Sequence, residues 1–276
     1  MLRVRTGLYA AVVTGVGAAA AYGSREVLRR QAAHARRVIG KPLGEVAPYA
    51  DRTWKSSLGR PIDLLVLGDS IAAGLGAERA KHTLGGRLAR GVASRAGRAV
   101  RLRTAATVGA ESSALATQVA SLPQAYRPDV AVIVVGGNDV THRVPVAVSV
   151  EHLVDAIDAL HRRGARVVVG TCPDLGALQA VPQPLRGMGS LASRQLARAQ
   201  RDAAVARGAW AVSLAHAVGP FFLTDPDQMF SSDRFHPSRH GYKRTAAAIR
   251  PSVLAALGEP VGLPHGHHAP RVGGAG

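Results

Sequence analysis

Residues 61–70 read Pro-Ile-Asp-Leu-Leu-Val-Leu-Gly-Asp-Ser. From Pro61 onward, short apolar runs alternate with longer amphipathic stretches, the pattern of βα units wound around a parallel sheet. Strands are expected at 62–67, 100–104, 130–135, 167–171 and 210–214, with helices at 83–96, 150–163, 191–207 and 238–257. Five strands with interleaved helices make a three-layer α/β/α sandwich spanning 61–257. Strand 62–67 runs straight into Gly68, Asp69 and Ser70, so Ser70 stands at the carboxyl end of a strand, where open α/β sheets hold their ligands.

Composition supports this architecture. Apolar residues make up 47% of the 276-residue chain but aromatics only 4%, so the core must be built from Ala, Val and Leu, which suits helices packed on a parallel sheet. The length accommodates one substantial domain with tails. A lone cysteine, Cys172, excludes an intrachain disulfide and any cysteine-rich metal site. It falls in an expected strand and reads as a buried structural thiol.

Outside the domain the character of the chain changes. Arg3 and Arg5 precede an uncharged run, 7–22, rich in Ala, Val and Gly. Residues 1–23 are expected to be an apolar helix acting as signal peptide or membrane anchor, leaving the protein membrane-associated or exported to the cell envelope. Arg25, Arg29, Arg30, Arg36 and Arg37 follow at once and favour a cytoplasmic flank, so the side of the membrane stays open. Residues 24–60 read as a basic connector suited to an anionic membrane surface. The net charge of +17 also admits nucleic acid as a partner, but the arginines are scattered with few aromatics between them, and none is expected. The tail 258–276, rich in Gly, Pro and His, is expected to be disordered. His265, His267 and His268 are assigned no role.

Three further segments carry chemistry. In 231–238, Ser-Ser-Asp-Arg-Phe-His-Pro-Ser, Asp233 and His236 are three residues apart, close enough for the carboxylate to orient the imidazole. Strand 130–135 ends in Gly136, Gly137, Asn138 and Asp139, which offers an amide donor where an oxyanion could develop. Strand 100–104 leads to Thr107, Val108 and Gly109, whose N–H could approach a ligand. Each has a plainer reading taken singly: Ser70 caps a helix, Asp233 caps a surface turn, Asn138 occupies a left-handed turn. They stand in order along the chain, three of the four at strand ends.

Together, Gly68-Asp69-Ser70, Gly109, Gly137 with Asn138-Asp139, and Asp233 with His236-Pro237 resemble the four blocks of the SGNH (GDSL-type) hydrolase family, over about residues 61–257. The resemblance implies a flavodoxin-like sandwich with a five-stranded parallel sheet, and a serine esterase that forms an acyl-enzyme without metal or organic cofactor. It implies Ser70 as nucleophile, His236 as general base and Asp233 behind it. Ser70 N–H, Gly109 N–H and the Asn138 side chain would form the oxyanion hole. The substrate would be a carboxylic ester of short to medium acyl length, lipid or cell-envelope esters among the candidates. Two departures touch no catalytic group: the asparagine that often precedes the second-block glycine is absent, and Gly136 fills the variable place before Gly137. His142, Arg143 and residues 173–188 could line the site, with a solvated loop as the plainer reading. The absence of a Gly-x-Ser-x-Gly elbow argues against an ordinary α/β-hydrolase, and no P-loop or dinucleotide fingerprint competes. A membrane-tethered binding module that keeps the fold without catalysis is the alternative.

Overall fold

The runs 64–67, 130–135 and 167–169 are apolar at successive positions, so both faces of the sheet must be covered there. In the computed structural model, which describes residues 22–40 and 44–271, helices cover both. The chain runs through α1 (22–39), β1 (Thr53–Trp54), β2 (Ile62–Gly68), α2 (Ser70–Ala73), α3 (Leu84–Ala96), β3 (Val100–Thr104), α4 (Ala114–Ala120) and β4 (Val130–Val134). It continues with α5 (Gly137–His142), α6 (Val146–Arg162), β5 (Arg166–Gly170), α7 (Leu185–Ala206) and β6 (Trp210–Val212). Three short helices follow, α8 (Leu214–Ala217), α9 (Gly219–Thr224) and α10 (Pro226–Met229), and then α11 (Arg239–Ala256) and β7 (His267–His268).

Alternation sorts the strand residues into two cores. Leu64, Val66, Val132 and Val134 pack with Leu88 and Val92 of α3 and Tyr242, Ile249 and Val253 of α11. Leu65, Leu67, Ala131 and Ile133 face the other way, onto Leu115 of α4 and Leu153, Ile157 and Leu160 of α6. The result is a three-layer α/β/α sandwich.

The sheet is seven-stranded and mixed, in the order β1-β3-β2-β4-β5-β6-β7, rather than five-stranded and parallel. Its five inner strands run parallel. β1 and β7 add antiparallel edges of two residues each, too short to carry an alternation pattern. β7 lies within the tail expected to be disordered: up to residue 271 that tail is placed, with His267 and His268 paired to β6 and His267 Nδ1 2.8 Å from Ser252 Oγ. The expected N-terminal anchor lies outside the described residues except for 22–23, which belong to α1. Among the described residues no helix is long and apolar enough to cross a membrane.

The strand order places the site. From β2 the chain moves to β3 on one side and later to β4 on the other, so a crevice opens at the carboxyl ends of β2 and β4. Ser70 follows β2 directly.

Candidate active site

β2 ends at Gly68 with φ +128, where a Cβ would fall 1.8 Å from Val134 O; only glycine lets the two strands close here. Gln118, on the inward face of α4, clamps this residue from both sides, its Oε1 accepting from Gly68 N–H at 2.9 Å and its Nε2 donating to Gly68 O at 2.8 Å. Asp69 then caps α2 through Ile71 N–H, at 2.9 Å, which makes Ser70 the first helical residue.

Ser70 Oγ lies 2.9 Å from His236 Nε2, and His236 Nδ1 lies 2.6 Å from Asp233 Oδ2. The other carboxylate oxygen of Asp233 accepts from the Ser231 hydroxyl at 2.7 Å and from the Phe235 and His236 N–H groups at 2.9 Å each. Burial pushes the Asp233 carboxyl up, but the hydrogen bonds from the His236 ring, the two backbone N–H groups and Ser231 outweigh it and hold the group down at about 2. Asp233 is therefore an anion at neutral pH and can only accept. In the neutral imidazole Nδ1 then carries the proton, which leaves the Nε2 lone pair for the Ser70 hydroxyl. This loop reaches the serine because residue 76 has no side chain: a Cβ on Gly76 would lie 2.6 Å from Pro237 O and 3.0 Å from His236 Cβ.

The Ser70 and Gly109 N–H groups have no hydrogen-bond partner among the described residues. Asn138 Nδ2 donates one hydrogen to Ala110 O at 2.9 Å, which ties the Gly109 loop to α5 and leaves a second N–H. Asp139 secures the same loop by accepting from Ser112 N–H, at 3.2 and 3.0 Å. Asp69 is buried close to Asp139 and His236. Burial is the main reason its carboxyl rises to about 6, with Ile71 N–H and His236 opposing and Asp139 adding to the rise.

The structure thus brings Ser70, Asp233 and His236 into one chain of hydrogen bonds. Ser70, Asn138 and His236 line an apolar recess of about 70 Å³. Gly109 stands outside the recess wall, beside Ala110. His142 and Arg143 also lie outside it, and His142 pairs instead with Glu111 at 2.6 Å. Part of 173–188 forms the wall, through Pro173, Asp174, Leu175, Ala177 and Leu178, so the plainer reading of that stretch as a solvated loop does not hold. Leu214 of α8, Phe222 of α9 and Val218 between the two complete the wall, and sequence reasoning assigned none of them. Cys172 is fully buried, with burial pushing its thiol well up, and takes no part.

Residues 66–244 match the model of the GDSL-like lipase/acylhydrolase family. The chain belongs to this family. A GDSL-like esterase of Mycobacterium tuberculosis is 40% identical to it over 253 residues, 88% of this chain and 80% of that protein. Among solved structures, a lipase/acylhydrolase from Enterococcus faecalis superposes with a TM-score of 0.57 at 22% identity, over 70% of this chain and 96% of that one. An acetylxylan esterase from Geobacillus stearothermophilus gives 0.55 at 18% identity, over 75% and 99%. These two likenesses are of fold. As a GDSL-like acylhydrolase the protein is a hydrolase of carboxylic esters.

Proposed function

We propose that Ser70 is the nucleophile, His236 the general base and Asp233 its orienting carboxylate. Ser70 N–H, Gly109 N–H and Asn138 Nδ2 would hold the oxyanion. The observation that carries this reading is the unbroken relay from Ser70 Oγ through His236 to a carboxylate fixed by four hydrogen bonds. Ser70 Oγ attacks the ester carbonyl as its proton passes to Nε2, and Asp233 stabilises the imidazolium that forms. The imidazolium then protonates the departing alkoxide. Water enters, loses a proton to the same nitrogen and attacks the acyl carbonyl; the acid leaves as the Ser70 ester bond breaks and the imidazolium returns the proton to Ser70 Oγ.

The test compares wild type, Ser70→Ala and Asn138→Ala for hydrolysis of p-nitrophenyl butyrate. Ser70→Ala should abolish turnover, and Asn138→Ala should lower kcat by about 100-fold to 1000-fold, as other oxyanion donors do. Full activity in Ser70→Ala would sink the mechanism.

The domain is also proposed to work at a membrane surface, as a lipid or cell-envelope esterase. The apolar run at 7–22 supports this, as do Arg25, Arg29, Arg30, Arg36 and Arg37 along α1.

A further inference from the structure

The recess meets the motif blocks at Ser70, Asn138 and His236, but its far walls are built from segments outside them. One wall comes from residues 173–178 after β5 and the other from α8, α9 and Phe230 after β6. Its buried end is hydrocarbon: Ala177, Leu178, Leu214, Val218 and Phe222 are each less than a tenth exposed. Phe222 stacks edge-on against Phe230, ring centres 4.9 Å apart, which fixes the shape of that end. Apart from Ser70, Asn138 and His236, the polar side chains at its edge are already engaged. Asp69 accepts from Ile71 N–H, Asp174 accepts from Gly176 N–H and pairs with Arg194, and the Thr245 hydroxyl donates to Gly241 O. Nothing at the buried end is equipped to recognise a sugar hydroxyl or a phosphate.

We infer that this recess holds the acyl chain of the ester, not its alcohol, and that it selects linear chains of medium length. The inference rests on Ser70 being the nucleophile. The first product to leave is the alcohol, and water must then occupy its place beside His236 Nε2. A group sunk in a dry apolar recess cannot exchange for water without exposing or wetting that surface, so the recess suits the part that stays attached through both steps. The alcohol then lies on the open side, where water can follow it. Size sets the length. Each water-sized group takes about 10–15 Å³ in such a volume, so about 70 Å³ admits five to seven carbons in a row beyond the carbonyl, a hexanoyl to octanoyl chain.

Two ester series on the full chain decide this. With p-nitrophenol fixed and the acyl group lengthened from acetate to palmitate, kcat/KM should rise by about threefold to fourfold per methylene up to hexanoate or octanoate, then stop rising. With hexanoate fixed and the alcohol lengthened from methyl to octyl, kcat/KM measured by acid release should stay within about threefold, less than one methylene's worth of burial. A rise along the alcohol series with a flat acyl series would place the alcohol in the recess and overturn the inference, and two flat series would overturn it equally. Ala177→Leu should lower the octanoate-to-butyrate ratio and Phe222→Ala should move the optimum to longer chains. Unchanged length profiles in folded variants would count against the assignment. Hydrolysis that survives in Ser70→Ala overturns the catalytic reading instead, so the two failures are distinguishable.

Discussion

At the scale of single residues, two carboxyl groups whose charges bear on one imidazole are driven in opposite directions. Asp233 collects four hydrogen bonds and is held at about 2, whereas Asp69 is raised to about 6, chiefly by burial. For Asp233 the fold favours the anion. The stability this contributes, about 2 kcal/mol from the shift, is present above pH 4 and lost as pH falls toward 2. For Asp69 the fold favours the neutral acid, so stability declines as pH rises from about 4 to 6 and levels off above, by about 3 kcal/mol. Asp69→Asn keeps an oxygen for the Ile71 N–H but cannot ionise. In thermal melts, its melting temperature relative to wild type should climb between pH 4 and pH 7, and a constant difference would contradict the assignment. Asp233→Asn should fold yet lose on the order of 10⁴-fold in kcat, because an amide at this place no longer imposes the tautomer that leaves Nε2 free. Steady-state kinetics on the butyrate ester measures this directly. The residues proposed to react could be singled out because each is the type its chemistry requires and each stands in a recognisable block. Gln118 was not singled out, although a polar residue spaced with Leu115 and Val119 on the inward face of α4 is a signal of a buried hydrogen-bonding role.

At the scale of elements, the site is a set of loops held against one another, and Gly76 shows how tightly. Its φ of +97 and the 2.6 Å separation from Pro237 O leave no room for a methyl group. Gly76→Ala should displace the loop carrying His236 and lower kcat by at least tenfold, with a smaller change in KM, while leaving β2 and Ser70 in place. An unaltered kcat would mean that the loop finds its position without this contact. The central strands were readable because buried parallel strands are continuous apolar runs, β3 because Val100 and Leu102 alternate with Arg101 and Arg103, and the long helices because their faces are amphipathic. α7 begins at Leu185, earlier than its expected start at 191, because Gly187 and Gly189 hide its first turns. α8 to α10 are only four to six residues long, with Pro220 and Pro226 at their starts, and periodicity needs a longer window than that. That is why the recess wall went unseen while Ser70, Asp233 and His236 did not.

At the scale of the whole molecule, the doubly wound sheet delivers Ser70, Gly109 and Asn138 from the ends of three adjacent strands, and α11 is preceded by the turn that brings back His236. The recess lies to one side of this line, over β5 and β6. The +17 charge belongs to the same scale, because it governs association rather than fold. The full chain should sediment with anionic vesicles at low salt, and replacing Arg25, Arg29, Arg30, Arg36 and Arg37 by Gln should weaken that association and reduce its salt dependence. Equal binding by the two chains at every salt concentration would remove the arginines of α1 from the account.

The central claim is that ester hydrolysis passes through Ser70. An alkyl fluorophosphonate, which phosphonylates activated serines without turning over, tests it most directly when intact mass and peptide mapping are followed alongside esterase activity. One covalent equivalent on the peptide containing Ser70, with activity falling in proportion to labelling, is the expected result. Activity that survives complete labelling, or a label that maps to another residue, would contradict the claim.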